Sequence, residues 1–385
     1  MKTIYLDHAS TCPIHPDVIT KMMPYIIEHY GNPSSLHTLG KHAKEGIKET
    51  RRGLAAFIGA EKEEIVFTSG GTEANNLAIK GIAYANRKKG NHIITSAIEH
   101  KAILEPCKFL EDEGWSVTYL PVNRFGAIDP KDVMSAITDK TVLISIMHAN
   151  NEIGTIEPVK EISAIAHERG VYMHTDAVQS FGHIPTKVDD IGVDLMSLSG
   201  HKIYGPKGVG ALYVRGGTRI APIMHGGDQE NGKRAGTENI VGIVGLGAAV
   251  ELVAKEMEQE SKRLTELRDN LINRLLTIAP DIILNGDRVN RLPNNISICI
   301  GGIEGETIMM KLNQNHLITS VGSACSSGTR GTSHVLNAIG VPEIFAYGAL
   351  RVTLGRDTTE EDLDCLIEIL RPTIIDIRYV GYRWQ

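Results

Sequence analysis

A glycine-rich segment after a predicted strand has the features of a phosphate-binding turn. The strand is predicted over residues 64–68, and Gly70, Gly71 and Thr72 lead from it into a predicted helix. Free amides and a favourable dipole at a helix N-terminus bind phosphate oxygens. The spacing matches neither GxGxxG nor GxxxxGK[ST], which argues against dinucleotide and P-loop sites. The alternative interpretation is an ordinary capped helix after a tight turn.

Asp176 and Lys202 each follow a later predicted strand. An aspartate at the C-terminal end of a strand can pair with a cationic ring nitrogen, although a helix N-cap is its more ordinary role. A lysine in such a place can bond covalently to an aldehyde, although most lysines are simply solvated. Together with the turn at Gly71 and Thr72, these residues provide what a pyridoxal phosphate site needs. The sequence therefore predicts pyridoxal phosphate as cofactor.

Three further polar side chains are expected near this cofactor. His100 follows a predicted strand, where its ring could stack on the cofactor and carry protons near neutral pH. Asn151 also follows a strand and could hydrogen-bond the cofactor or the substrate. Arg351 lies within a predicted strand, and its guanidinium could bind a carboxylate through two hydrogen bonds. The alternatives are satisfied loop residues for the first two and a structural ion pair for Arg351.

Cys325 differs from the other cysteines in its surroundings. It lies in a small, polar stretch over residues 321–328, and an accessible thiol whose thiolate is stabilised is a nucleophile. Apolar patterns or the N-terminal strand predict inert packing for the remaining four, which are Cys12, Cys107, Cys299 and Cys365. No CxxC pair occurs, so neither a disulfide framework nor a zinc site is indicated.

The composition predicts a cytoplasmic enzyme with reduced thiols. Its 385 residues include 40 Lys and Arg against 46 Asp and Glu, a net charge of −6. This mild acidity argues against direct binding of nucleic acid or of an anionic membrane. The longest apolar run covers only residues 240–250, short of the roughly 18 residues of a membrane helix. We expect no signal peptide and no membrane partner.

Short β-branched segments alternate with helical patterns from about residue 64 onward. Strands separated by helices predict an α/β fold with a mostly parallel sheet and ligands at the C-terminal strand ends. A long helical pattern follows residue 237, and mixed strands and helices come after it. We expect a large domain over 13–258 and a smaller α+β domain formed by 1–12 and 259–385.

The chain resembles the class I cysteine desulfurases of the NifS/IscS type over nearly its whole length. The motifs that carry the resemblance occupy residues 5–11, 31–35, 68–76, 150–154, 174–179, 199–202, 234–237, 322–326 and 350–355. The resemblance implies fold type I of the pyridoxal phosphate enzymes, with a seven-stranded sheet, and a homodimer. It also implies conversion of L-cysteine to L-alanine through a persulfide on Cys325. The sulfur would pass to an acceptor protein of iron–sulfur cluster assembly or tRNA thiolation.

The resemblance also assigns roles to residues in these motifs. Lys202 would hold the cofactor, Asp176 would pair with its pyridine nitrogen, and Gln179 would contact its phenolic oxygen. The phosphate would be bound by Thr72, Ser199 and His201, and by Thr237 of the neighbouring subunit. The substrate carboxylate would be held by Asn32, Asn151 and Arg351.

Other functions would use some of the same residues. A selenocysteine lyase, an aminotransferase or another fold type I enzyme would use the same cofactor site. A catalytically idle sulfur-trafficking adaptor is disfavoured by the intact Lys202, Asp176 and Cys325. A nicotinamide dehydrogenase is disfavoured by the missing GxGxxG.

Overall fold

The computed structural model describes residues 2–321 and 332–382; Cys325 lies outside the described residues. The described strands are β1 (Ile4–Tyr5), β2 (Ile65–Thr68), β3 (His92–Ser96), β4 (Ser116–Leu120), β5 (Thr141–Ser145), β6 (Tyr172–Asp176), β7 (Leu195–Ser199), β8 (Gly210–Val214), β9 (Ile282–Leu284), β10 (Asn295–Ile300), β11 (Leu317–Ile318) and β12 (Ala349–Thr353). The described α-helices are α1 (Pro16–Ile27), α2 (Thr38–Ile58), α3 (Gly71–Asn86), α4 (Lys101–Asp112), α5 (Pro130–Ala136), α6 (Val159–Glu168), α7 (Val188–Ile191), α8 (Ile240–Ile278), α9 (Gly305–Gln314), α10 (His334–Ala338), α11 (Glu343–Ala346) and α12 (Glu360–Tyr382).

Seven of the described strands form the central sheet, in the order β2-β8-β7-β6-β5-β3-β4. The strands from β7 to β4 in this order are parallel, and β8 is antiparallel to both β2 and β7. This confirms the predicted α/β fold with a mostly parallel sheet. The sequence pattern does not predict β8, because the glycine-rich turn over 205–210 runs directly into it.

Helices cover both faces of this sheet. Val66 of β2 packs in one apolar cluster with Leu77 of α3, whereas its neighbour Phe67 packs in another cluster with Leu246 of α8. Successive side chains of a strand point to opposite faces, so both faces of the sheet are buried. The C-terminal strand edge is then the place where polar side chains can gather around a ligand.

Helix α8 joins the large sheet to a smaller unit. Its first half contributes Leu246 and Val250 to the large core, and its second half contributes Leu264 and Leu271 to a separate apolar cluster. That cluster also contains residues of β10, β12, α9 and α12. The boundary predicted after residue 258 falls between these two groups, although α8 continues through it. Despite its 39 residues, neither α8 nor any other described helix is suited to crossing a membrane.

Within the part of the smaller unit that the structure describes there are two short sheets, one antiparallel in the order β12-β10-β9 and one formed by the parallel pair β1-β11. Pairing of β1 with β11 brings the N-terminal segment beside the C-terminal part of the chain. This segment then runs past the end of β12, where Asp7 forms a bridge with Thr353. The smaller unit thereby places both Asp7 and Arg351 near the edge of the large sheet.

Candidate active site

A cavity of about 290 Å³ lies at the C-terminal edge of the large sheet. Most of the predicted site residues line it, namely Gly71, Thr72, His100, Asn151, Asp176, Gln179, Ser199, His201, Lys202 and Arg351. The topology explains this convergence, because Gly71 follows β2, Asp176 ends β6 and Ser199 ends β7. These strands run in the same direction, so their C-terminal ends share one edge.

Lys202 lies in a short 3-10 turn, Gly200–Lys202, directly after β7. Its Nζ donates to the carbonyl oxygen of Ala9 at 2.5 Å and to that of Ser10 at 2.7 Å. Both acceptors belong to the N-terminal segment, which therefore forms one wall of the cavity. Backbone carbonyls leave no mark in a sequence pattern, so these contacts were not predictable from it.

The buried carboxylate of Asp176 is held by two donors. The Asn75 amide donates to Oδ2 at 2.6 Å, and the Val178 backbone N–H donates to Oδ1 at 2.9 Å. The Val178 contact is the local turn expected of a cap-like aspartate, yet the carboxylate also lines the cavity. Nearby, Gln179 donates its Nε2 to the Ala9 carbonyl at 2.9 Å.

The N-terminus of α3 borders a second, more open cavity of about 500 Å³, whose lining includes Gly71, Thr72 and Ser199. The first amides of an α-helix have no partner within the helix, and they are therefore available to an anion. A Cβ on Gly71 would lie 2.6 Å from Cγ2 of Val178. Glycine is thus required at this position for the turn to pass so close to Val178.

His201 lines both cavities as an uncharged ring. Its Nδ1 lies 3.0 Å from Oγ1 of Thr11. Burial, aided by the charges of Lys202 and Lys207, lowers the pKa of His201 to about 4. At neutral pH the ring therefore contributes hydrogen bonding and no charge. Phosphate turn, carboxylate and amine meet around adjoining cavities, so the residues present fit pyridoxal phosphate.

His100 caps the N-terminus of α4. Its Nδ1 accepts the Ala102 backbone N–H at 3.1 Å, which places the proton of the neutral ring on Nε2. The ring also lines the cavity, and proton transfer by His100 stays a prediction.

Arg351 reaches the cavity from β12. Its guanidinium donates to the Asn151 carbonyl at 3.0 Å, to Oδ1 of Asp7 at 3.0 Å and to Oγ of Ser10 at 2.8 Å. The side chain is 3% exposed, and its Nε has no hydrogen-bond partner among the described residues. Arg351 therefore forms the ion pair that was one interpretation, and its side chain also lines the cavity. Binding of a carboxylate by Arg351 stays a prediction.

Asn32 and Thr237 do not line the cavity of their own chain. Both are exposed, and Oδ1 of Asn32 accepts the Ser34 backbone N–H at 2.9 Å within its own loop. The structure therefore does not bring Asn32 to the other predicted carboxylate-binding residues, Asn151 and Arg351. Thr237 was expected to serve a neighbouring subunit, and its exposure is compatible with that expectation.

Several residues of the site were missed from sequence. Asn75 lies one helical turn after the glycine pair of α3, so the helical spacing could have placed it on the same face. Lys207 lines the second cavity beside Gly71 and Thr72, and its glycine-rich neighbourhood over 205–210 predicts only a turn. His334 also lines the main cavity, and its Nε2 lies 3.0 Å from the carbonyl oxygen of Glu99. The sequence around His334 has no pattern that would distinguish it.

The four described cysteines all have raised thiol pKa values. Burial raises the pKa of Cys12 and Cys107 to about 12 and that of Cys299 to about 11, and it also raises the pKa of Cys365. Such thiols are almost entirely protonated at neutral pH and are poor nucleophiles. None of these four lines the main cavity.

Comparison with known proteins places these features in one family. The family model described as aminotransferase class-V matches residues 4–366. A protein named cysteine desulfurase IscS from Dictyoglomus turgidum is 54% identical over 380 residues, which cover 99% of this chain and 96% of that protein.

Solved structures agree with this result. A NifS-like protein has a TM-score of 0.91 and 35% identity, covering 97% of this chain and 99% of its own. A structure described as SspA in complex with cysteine has a TM-score of 0.82 and 39% identity, covering 91% of this chain and 99% of its own.

Proposed function

Because the chain belongs to the class-V aminotransferase family and is a cysteine desulfurase that uses pyridoxal phosphate, we propose specific roles for its cavity residues. One observation carries them: Lys202, Asp176 and Arg351 line a single cavity, and Arg351 has a buried Nε without a partner among the described residues. A buried donor is costly unless something accepts from it. A substrate carboxylate is the acceptor that a guanidinium prefers.

The cofactor, when bound, draws electrons from Cα of the attached amino acid. Asp176 would hold its ring nitrogen and Gln179 its phenolic oxygen, and the phosphate would be held at the turn before α3 by Thr72, Ser199 and His201. Lys202 would hold the cofactor and also take and return the Cα proton of the substrate. His100 would carry a proton through Nε2, and Asn151 would help Arg351 to fix the carboxylate.

Cys325 is the proposed sulfur acceptor. Its thiolate attacks the substrate sulfur, so that a sulfur–sulfur bond forms while the bond between sulfur and Cβ breaks. Cβ takes a proton where it was bonded to sulfur, and Lys202 returns the proton to Cα. L-alanine is then released, and Cys325 carries the sulfur as a persulfide. Supporting this role, the four described thiols have raised pKa values and none lines the main cavity.

Chain connectivity also supports the role of Cys325. Ser320 exchanges two backbone hydrogen bonds with Arg351, at 2.7 and 3.1 Å, and His334 lines the cavity. Cys325 is five residues after Ser320, a stretch that spans at most roughly 17 Å when extended. The described chain on either side of Cys325 therefore contacts or lines the cavity through Arg351 and His334, which supports the assignment of Cys325.

We propose that the persulfide sulfur passes to an acceptor protein of iron–sulfur cluster assembly or tRNA thiolation. A cytoplasmic location would keep the nucleophilic thiol reduced. Cysteine labelled in its sulfur, added to the enzyme in an extract, should transfer label to one of these acceptors. Label found only on free sulfide would contradict transfer to a protein.

We also propose that two copies of the chain form a dimer in which Thr237 and Asn32 serve the partner's site. Large apolar side chains near Asn32 are unusually exposed, with 61% exposure for Ile27, 68% for Tyr30 and 88% for Leu36. These three side chains lie close together in the sequence, within residues 27–36, and clustered exposed apolar residues are typical of protein interfaces.

The variant Leu36→Asp tests the dimer, because it would place a charge in this apolar surface. We expect the wild-type protein to sediment as a dimer of the 42.0 kDa chain, and Leu36→Asp to sediment largely as a monomer that retains less cofactor. Val289→Asp is the matched control, since Val289 is 79% exposed outside this surface. A monomeric wild-type protein would contradict the proposed dimer.

Arg351→Gln tests the proposed carboxylate site. We expect the KM for L-cysteine to rise roughly 10- to 100-fold, because the substrate would lose the binding free energy of one or two charge-assisted hydrogen bonds. Initial rates of alanine formation over a range of cysteine concentrations measure the change. Arg274→Gln, which removes a surface pair with Asp364, should keep the wild-type KM. An unchanged KM in Arg351→Gln would refute the role of Arg351.

A further inference from the structure

Asp7 is the only charged partner of Arg351 among the described residues. Its Oδ1 lies 3.0 Å from Nη2 of Arg351. Ser10 joins the pair, because its hydroxyl donates to the same Oδ1 at 2.8 Å and accepts from the same Nη2 at 2.8 Å. The Asp7 side chain is 16% exposed and that of Arg351 is 3% exposed. Solvent therefore screens this contact poorly.

The backbone fixes this arrangement independently of the ion pair. Asp7 forms a β-bridge with Thr353, two residues after Arg351 on the same strand. The Thr353 backbone N–H also donates to the carbonyl of Leu6, the residue before Asp7, at 2.8 Å. Removing the charge of Asp7 should therefore leave both side chains close to their present positions.

We infer that Asp7 sets the affinity of the site for the carboxylate of substrate and product. This inference rests on the proposed role of Arg351. A carboxylate bound to Arg351 shares the guanidinium with Asp7, and the two anions repel each other at short range. The charge of Asp7 thereby offsets part of the attraction between Arg351 and the bound carboxylate. The product alanine, which keeps the same carboxylate as cysteine, is then held loosely enough to leave.

Asp7→Asn tests the inference, because it removes the charge and keeps an oxygen acceptor for Arg351 and Ser10. Alanine is titrated into the holoenzyme, and the dissociation constant is read from the visible absorbance of the bound cofactor. We expect alanine to bind roughly tenfold more tightly to Asp7→Asn than to wild type. Ethylamine, which is alanine without its carboxylate, should bind equally to both proteins.

Ser10→Ala is the matched variant, since it removes one contact of the same triangle without changing the charge. We expect no tightening of alanine binding in Ser10→Ala. Equal tightening in both variants would overturn the inference, and so would equal tightening of ethylamine or alanine binding no stronger than wild type in Asp7→Asn.

Arg351→Gln in the same titration separates this inference from the proposed role of Arg351. Unchanged alanine binding in Arg351→Gln would overturn both. Weakened alanine binding in Arg351→Gln, without tightening in Asp7→Asn, would overturn the role of Asp7 alone.

Discussion

Replacing Cys325 by alanine is expected to lower alanine formation from L-cysteine by roughly 10⁴- to 10⁶-fold, the scale on which loss of a catalytic nucleophile acts. The variant lacks the thiolate that takes the substrate sulfur. None of the four described thiols lines the main cavity, and burial raises the pKa of each. The rate of alanine formation by the purified holoenzyme measures the loss.

Two controls accompany this variant. Cofactor retention and alanine binding, both read from visible absorbance, should match wild type, because the cavity residues are intact. Cys365→Ala should keep wild-type activity, since Cys365 lies on α12 away from the cavity. Full activity in Cys325→Ala would show that another group accepts the sulfur.

Replacing Lys202 by alanine is expected to have an equally large effect for a different reason. The variant loses both the covalent attachment of the cofactor and the base for the Cα proton. A positioned general base alone contributes roughly 10²–10⁴-fold, so turnover should fall below detection. The visible absorption band of the lysine-bound cofactor should also disappear.

Lys187→Ala is the matched control for Lys202→Ala. Lys187 is exposed and donates to the Ala56 carbonyl at 3.0 Å, outside the cavity. It should keep both turnover and the absorption band. A Lys202→Ala protein that retained the band and appreciable turnover would contradict the assignment of Lys202.

Strand ends were the informative feature of the sequence. Asp176 and Lys202 could be placed because each lies at or shortly after the end of a predicted strand, and parallel strands bring such positions to one edge. The Asp7–Arg351 pair could not be placed in this way. Its members are 344 residues apart, and only the pairing of β1 with β11 and the bridge from Asp7 to β12 bring them together.

Asn32 shows a second limit of sequence reasoning. Its motif marks it as a residue of the site. Within one chain, however, Asn32 accepts a hydrogen bond from its own loop and its side chain is exposed. A motif gives no indication of which copy of a chain a side chain serves. The same limit applies to Thr237, for which the expectation of a neighbouring subunit came from family resemblance and not from spacing.

The mass of the Cys325 peptide after turnover tests the persulfide on Cys325 directly. Holoenzyme is mixed with L-cysteine without a reductant or acceptor, digested under non-reducing conditions and analysed by mass spectrometry. We expect one additional sulfur atom on the peptide that contains Cys325 and none on the peptides of Cys12, Cys107, Cys299 and Cys365. Alanine formed in the first turnover, with the Cys325 peptide unchanged or with the added sulfur on another cysteine, would contradict this expectation.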